Sequence, residues 1–124
     1  APHTFTEKDV EFQLAPFGIV GLETLLGLTV TELVETGLVG LERAIELMTI
    51  APARIAGLPV GELKEGGPAD ICIFNPNEEW VVDPAKFASL SHNTPFGGRR
   101  LKAPVKATLC DGRFVYRHDT VPAG

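Results

Sequence analysis

Apolar positions in this chain change their period near residue 57, and that change divides the predicted elements. From Gly21 to Thr36, Leu22, Leu25, Leu26, Val30 and Leu33 recur at helical spacing, which predicts a helix with that stripe inward. Glu23 in its first turn suits the helix dipole, and Gly37 supplies the stop. A second helix is predicted over 40–49, with Leu41, Ala44, Ile45 and Met48 inward. Pro52 then opens a third, short helix that ends at Gly57. Residues 1–20 show little periodicity and read as a loop.

Beyond Gly57 the spacing is that of strands. Residues 69–74 read as a buried strand and Trp80-Val81-Val82 as a second. Asp83-Pro84 is the cap and first residue of a short helix to about Leu90. Residues 91–102 read as a loop containing glycine and arginine. Strands at 105–110 and 113–117 flank Asp111-Gly112, a two-residue hairpin signal. Helices followed by strands indicate an α+β arrangement or parts of two domains, with the strands in one small sheet. Neither half covers itself: the helices have no sheet of their own and the sheet has open edges. Both halves are therefore expected to pack on something else.

Bulk properties narrow the classes. A chain of 124 residues, 44% hydrophobic and 22% charged, can bury a core and is not disordered in composition. A net charge of −5 disfavours nucleic acid and anionic membrane as partners. No apolar run approaches a membrane span, because Glu23, Glu32 and Glu35 interrupt the longest one. The N-terminus has no signal-peptide pattern, and the expected location is cytoplasmic. Cys72 and Cys110 are expected as buried thiols, with a disulfide left open.

Most familiar chemistry is missing. Ser91-His92 are sequence neighbours, a poor arrangement for a nucleophile and its base. His3, His92 and His118 lack metal-ligand spacing, and no phosphate-binding glycine motif is present. The stretch Ala15-Pro16-Phe17-Gly18-Ile19-Val20-Gly21-Leu22-Glu23 stands out instead. Pro16 fixes one dihedral, Gly18 frees another, and the run leads into a helix N-terminus where N–H groups suit an anion. His3 could add a side-chain donor to the same anion. The competing reading is an ordinary loop-to-helix junction with a surface histidine.

Ala1-Pro2-His3-Thr4, Glu7-Lys8, Phe12 and the 15–23 run resemble the active-site loop of dihydroorotases, which are cyclic amidohydrolases. Leu58 to Phe74, with Gly61-Glu62-Leu63, Gly66 and Ala69-Asp70-Ile71, resembles a segment found across the amidohydrolase superfamily, hydantoinases, allantoinases and deaminases included. Asn93-Thr94-Pro95-Phe96-Gly97-Gly98 resembles the dihydroorotase stretch before the final hairpin, where Asn93 and Pro95 are expected to shape the loop.

The resemblance implies an α/β fold: the C-terminal part of a (β/α)8 metal-dependent hydrolase barrel plus part of a small β-sandwich. Residues 1–57 would supply the active-site loop and barrel helices, and 58–124 the C-terminal part of the sandwich. It further implies one or two zinc ions and interconversion of dihydroorotate with N-carbamoyl-L-aspartate, a step of pyrimidine synthesis. His3 matches a histidine that holds the substrate carboxylate, and Phe17 and Gly18 match a pair whose backbone contacts the substrate. No catalytic residue or metal ligand of the family falls in this chain, since the family's catalytic aspartate stands just before Ala1. The chain is thus expected to be a C-terminal fragment, inactive and zinc-free by itself, whose first partner is the N-terminal part of the same enzyme. A homodimer or aspartate transcarbamoylase is a further possible partner. Two alternatives stay open: a hydantoinase- or allantoinase-type enzyme, and a non-catalytic dihydroorotase-like subunit supporting aspartate transcarbamoylase.

Overall fold

The computed structural model describes residues 4–119. Thr4 and Glu7 form a capping box: the Thr4 N–H donates to the Glu7 carboxylate at 2.6 Å, and the Glu7 N–H donates to the Thr4 hydroxyl at 3.4 Å. The box opens a one-turn helix, α1 (Phe5–Lys8), inside the expected loop. Four residues are too few to leave a hydrophobic period.

Helix α2 (Leu22–Thr29) continues directly into a π turn at Val30–Val34, close to the expected span. Gly37, at φ 76°, follows as the stop. Its inward face differs from expectation. Thr24, Gly27 and Val30 are buried, whereas Leu22 is 91% exposed and Leu25 and Leu33 also face outward. Gly27 explains the choice. A Cβ there would lie 3.1 Å from the Leu101 Cβ and 3.2 Å from the Lys102 carbonyl oxygen, so only the face without side-chain bulk can approach the strand this closely. Of the expected stripe, Val30 turns inward and Leu26 is half-buried, while Leu22, Leu25 and Leu33 are left without cover by these residues.

Helix α3 (Leu41–Met48) turns its Ala44 inward as expected. Helix α4 (Ile50–Ala56) begins two residues before Pro52, which sits in the first turn, where a missing N–H breaks no helical bond. It ends in a Schellman pattern: Leu58 N–H to Ala53 O at 2.9 Å and Gly57 N–H to Arg54 O at 3.2 Å, with Gly57 left-handed.

Strands β1 (Ile71–Phe74), β4 (Val105–Cys110) and β5 (Arg113–Arg117) form one antiparallel sheet with β4 central. Strands β2 (Glu79–Val81) and β3 (Arg100–Lys102) form a separate antiparallel ribbon. The single expected sheet is therefore two, and β3 lies within the expected loop. The switch occurs at Ala103-Pro104. Ala103 has φ 57° and donates its N–H to Glu78 O at 3.1 Å, while Pro104 has no N–H for a ladder. The helix expected over 83–90 is only a 3₁₀ turn, Pro84–Lys86, capped by the Asp83 carboxylate. The β4–β5 hairpin forms as expected, with φ 49° at Asp111 and 73° at Gly112, the signs a type I′ turn requires.

Cys72 and Cys110 are exposed and unlinked, not buried. The pleat places both on the sheet face opposite fully buried Ala107. Partial burial of the Cys72 sulfur still pushes its thiol pKa up.

The core is small: Val30, Ala44, Ala53, Val82, Leu101, Ala103 and Ala107 are its buried apolar residues. The accessible surface is 8903 Å², against about 6,500 Å² expected for a compact monomer of this mass. The excess is the size of a large protein interface, in line with two halves that pack on something else. Among the described residues, no helix is long and apolar enough to cross a membrane.

Candidate functional site

The run after α1 turns at Glu11, whose carbonyl accepts from Leu14 N–H at 2.8 Å and Ala15 N–H at 3.1 Å. That turn sends Ala15-Pro16 inward and leaves Phe17 96% exposed. Gly18 follows at φ 105°, a conformation that side chains with a Cβ rarely adopt. Two interactions with one residue fix the backbone there. The Asn93 side-chain amide donates to Gly18 O at 2.9 Å, and the Asn93 carbonyl accepts from Val20 N–H at 3.0 Å.

A reciprocal tie lies three residues on. The Glu23 carboxylate accepts from the backbone N–H groups of Ala88 and Ser89, both at 3.1 Å. Glu23 therefore holds the chain before Asn93, beyond any service to the helix dipole. The 88–93 segment keeps its shape through hydroxyl turns: Ser91 N–H donates to Ser89 Oγ and Asn93 N–H to Ser91 Oγ, each at 3.4 Å. Ser91 is buried in this role, which accounts for it without nucleophilic chemistry.

Between these segments lies an open cavity of about 410 Å³, lined by Val10, Phe12, Ala15 to Gly18, and Asn93. Among the described residues no titratable side chain lines it. Its side chains are apolar apart from the Asn93 amide, while the lining as a whole is mixed polar and apolar. Such a surface can hold and orient a small molecule, but it offers no acid, base or nucleophile. Phe17 and Gly18, expected at a substrate site, both line the cavity. His3 lies outside the described residues. Among the described residues no group of three or more His, Cys, Asp and Glu side chains could hold a metal ion, so these residues do not fit a zinc centre. The lowered pKa values of Glu62 and Glu78 come first from hydrogen bonds with Lys64 and Lys106, and neither residue lines the cavity.

The two ties were the part of the site that sequence reading missed. Asn93 is 75 residues from Gly18 and Glu23 is 65 from Ala88. No local pattern marks partners so far apart.

A profile of the amidohydrolase family matches residues 19–116. A dihydroorotase of Pelotomaculum thermopropionicum is 54% identical over 115 residues, covering 93% of this chain and 27% of that protein. A dihydroorotase of Clostridioides difficile is 47% identical over 116 residues, covering 94% and 27%. Among solved structures, L-hydantoinase (dihydropyrimidinase) from Arthrobacter aurescens aligns with a TM-score of 0.78 at 33% identity, over 90% of this chain and 25% of that one. D-hydantoinase from Bacillus sp. AR9 aligns with a TM-score of 0.81 at 25% identity, over 94% and 27%. The chain spans about a quarter of the length of the curated relatives it matches. With the helices from α2 onward and all five strands matched almost to the end of the last one, this chain belongs to the amidohydrolase family.

Proposed function

We propose that these residues are the C-terminal portion of a dihydroorotase, a zinc-dependent cytoplasmic enzyme that interconverts N-carbamoyl-L-aspartate and (S)-dihydroorotate in pyrimidine synthesis. The observation that carries the reading is the 54% identity to a dihydroorotase over 93% of the chain. In this reading α2, α3 and α4 belong to a (β/α)8 barrel and the strands to a small β-sandwich. The domain division then falls at residue 57.

The chemistry assigned to this chain is binding and orientation. His3 donates a hydrogen bond to a substrate carboxylate. Phe17 and Gly18 present backbone to the same ligand, and the lack of a Cβ at Gly18 permits close approach. The metal ligands and the catalytic aspartate are assigned to the part of the enzyme that these residues do not include. A homodimer, or association with aspartate transcarbamoylase, is compatible with the large uncovered surface.

A hydantoinase-type enzyme is the second reading, favoured by the 33% identity to L-hydantoinase. The higher identity to dihydroorotases and the resemblance of the 15–23 loop favour the first. The deciding experiment is ring opening by the full-length zinc-loaded enzyme, assayed with dihydroorotate and with hydantoin. Turnover of dihydroorotate alone is expected. Turnover of hydantoin alone would install the second reading, and turnover of neither would support a non-catalytic subunit.

A further inference from the structure

We infer that Asn93 is a positioning residue for the substrate loop, acting through Gly18 and Val20 without itself taking part in the reaction. The inference rests on the dihydroorotase reading for its substrate, but its geometry stands apart from it. Asn93 engages both flanks of Ile19: its amide donates to Gly18 O at 2.9 Å, and its carbonyl accepts from Val20 N–H at 3.0 Å. The two bonds hold the peptide planes on either side of Ile19, the first being the plane that leaves Gly18, whose φ of 105° glycine does not hold unaided because it has many others of similar energy.

Asn93 is itself held. Its N–H donates to Ser91 Oγ, and Glu23 grips Ala88 and Ser89 a few residues earlier. Its support therefore comes from a buried serine and from the start of α2, not from the loop it orients. An exposed glycine loop that must meet a ligand in one geometry loses conformational freedom on binding. A residue that restricts the loop beforehand reduces that loss.

The test compares Asn93→Asp and Asn93→Ala in the full-length enzyme. Asp preserves the shape but replaces the amide donor by an acceptor facing the Gly18 carbonyl. Ala removes the side-chain bond and keeps the backbone one. Three quantities are read on each: amide exchange across 15–23, KM against kcat for dihydroorotate, and melting temperature. Both variants should speed exchange of the 15–23 amides. KM should rise roughly three- to ten-fold for Ala, the loss of one neutral hydrogen bond, and more for Asp. The kcat and the melting temperature should change little. Asn93→Ser, which retains a short donor, should fall between Ala and wild type.

Unchanged exchange, or faster exchange with unchanged KM in an active enzyme, would overturn the inference. A lower melting temperature with unchanged KM would make Asn93 structural only. If the wild type does not act on dihydroorotate while the variants still loosen the loop, the functional reading fails and the positioning of the loop by Asn93 stands.

Discussion

The joint between α2 and the β2–β3 ribbon and the loop from Val10 to Gly21 lie at opposite ends of one helix, yet they are built differently. The joint is closed by this chain alone. Leu101 is 1% exposed, Gly27 admits it against the helix, and the Thr31 hydroxyl accepts the Lys102 N–H at 2.8 Å. Around it, Glu32 pairs with Arg99, and Lys102 lies 3.5 Å from Glu79. Trp80 Nε1–H donates to Lys102 O at 3.1 Å. The loop, by contrast, shows Phe12, Leu14 and Phe17 to solvent and is tied down by Asn93 and the residues around it. The joint is thus a place where substitutions should register as stability, and the loop one where they should register as binding. A family fold can keep its scaffold and its site in separate hands in this way, since packing and ligand contact make different demands on a residue.

The largest effect would come from separating the loop from the rest of the enzyme. The isolated 124-residue chain should show no dihydroorotate turnover at any zinc concentration, because the proposed reading assigns the metal ligands and the reacting groups to the part of the enzyme that these residues do not include. Zinc-dependent ring opening by the purified chain would overturn the division of roles.

Within the joint, Leu101→Ala should lower stability by about 2–5 kcal/mol, the cost of a buried leucine lost with partial collapse of the cavity. In the loop, Phe17→Ala should stay within about 0.5 kcal/mol, because the ring is almost wholly exposed. Denaturant midpoints of both variants sharpen the contrast. Equal losses would erase it.

In the full-length enzyme of the proposed reading, His3→Ala should weaken binding of both dihydroorotate and carbamoyl aspartate while zinc content stays the same. A hydrogen bond to a charged group is worth about 1.5–3 kcal/mol, so kcat/KM should fall roughly ten- to a hundred-fold. Zinc stoichiometry and melting temperature measured on the same variant separate the cases. Lost zinc would make His3 a ligand, and unchanged kcat/KM would remove it from the site.

The smallest effect is electrostatic and lies just before β2. A hydrogen bond from Lys106, at 2.6 Å, holds the Glu78 carboxyl below its ordinary value of 4.5. A carboxyl depressed on folding adds stability above its unfolded pKa and loses it as pH falls through the folded one. Any contribution should therefore fade below about pH 4.5 and be slight, since Glu78 is open to solvent. Lys106→Met should raise the Glu78 pKa in an NMR titration. No change would remove the hydrogen bond as its cause.

Local signals were legible wherever a few neighbouring residues settle the conformation. Gly57 ended α4, Gly37 ended the long helix, and Asp111-Gly112 turned the hairpin, because a left-handed residue or a two-residue loop carries its own geometry. Sequence also placed Phe17 and Gly18 in one loop, which the structure lines along a cavity. What it misjudged was set by distant contacts. The inward face of α2 followed Gly27 and not the leucines, since close approach to Leu101 depends on absent bulk and a hydrophobic pattern records only what is present. The sheet divided at Ala103-Pro104 because Ala103 found an acceptor at Glu78, 25 residues earlier in the chain. Asn93 and Gly18 met across 75 residues. Period and propensity encode which residues can form an element, but only the packed chain determines which face is buried and which backbone groups pair across the fold.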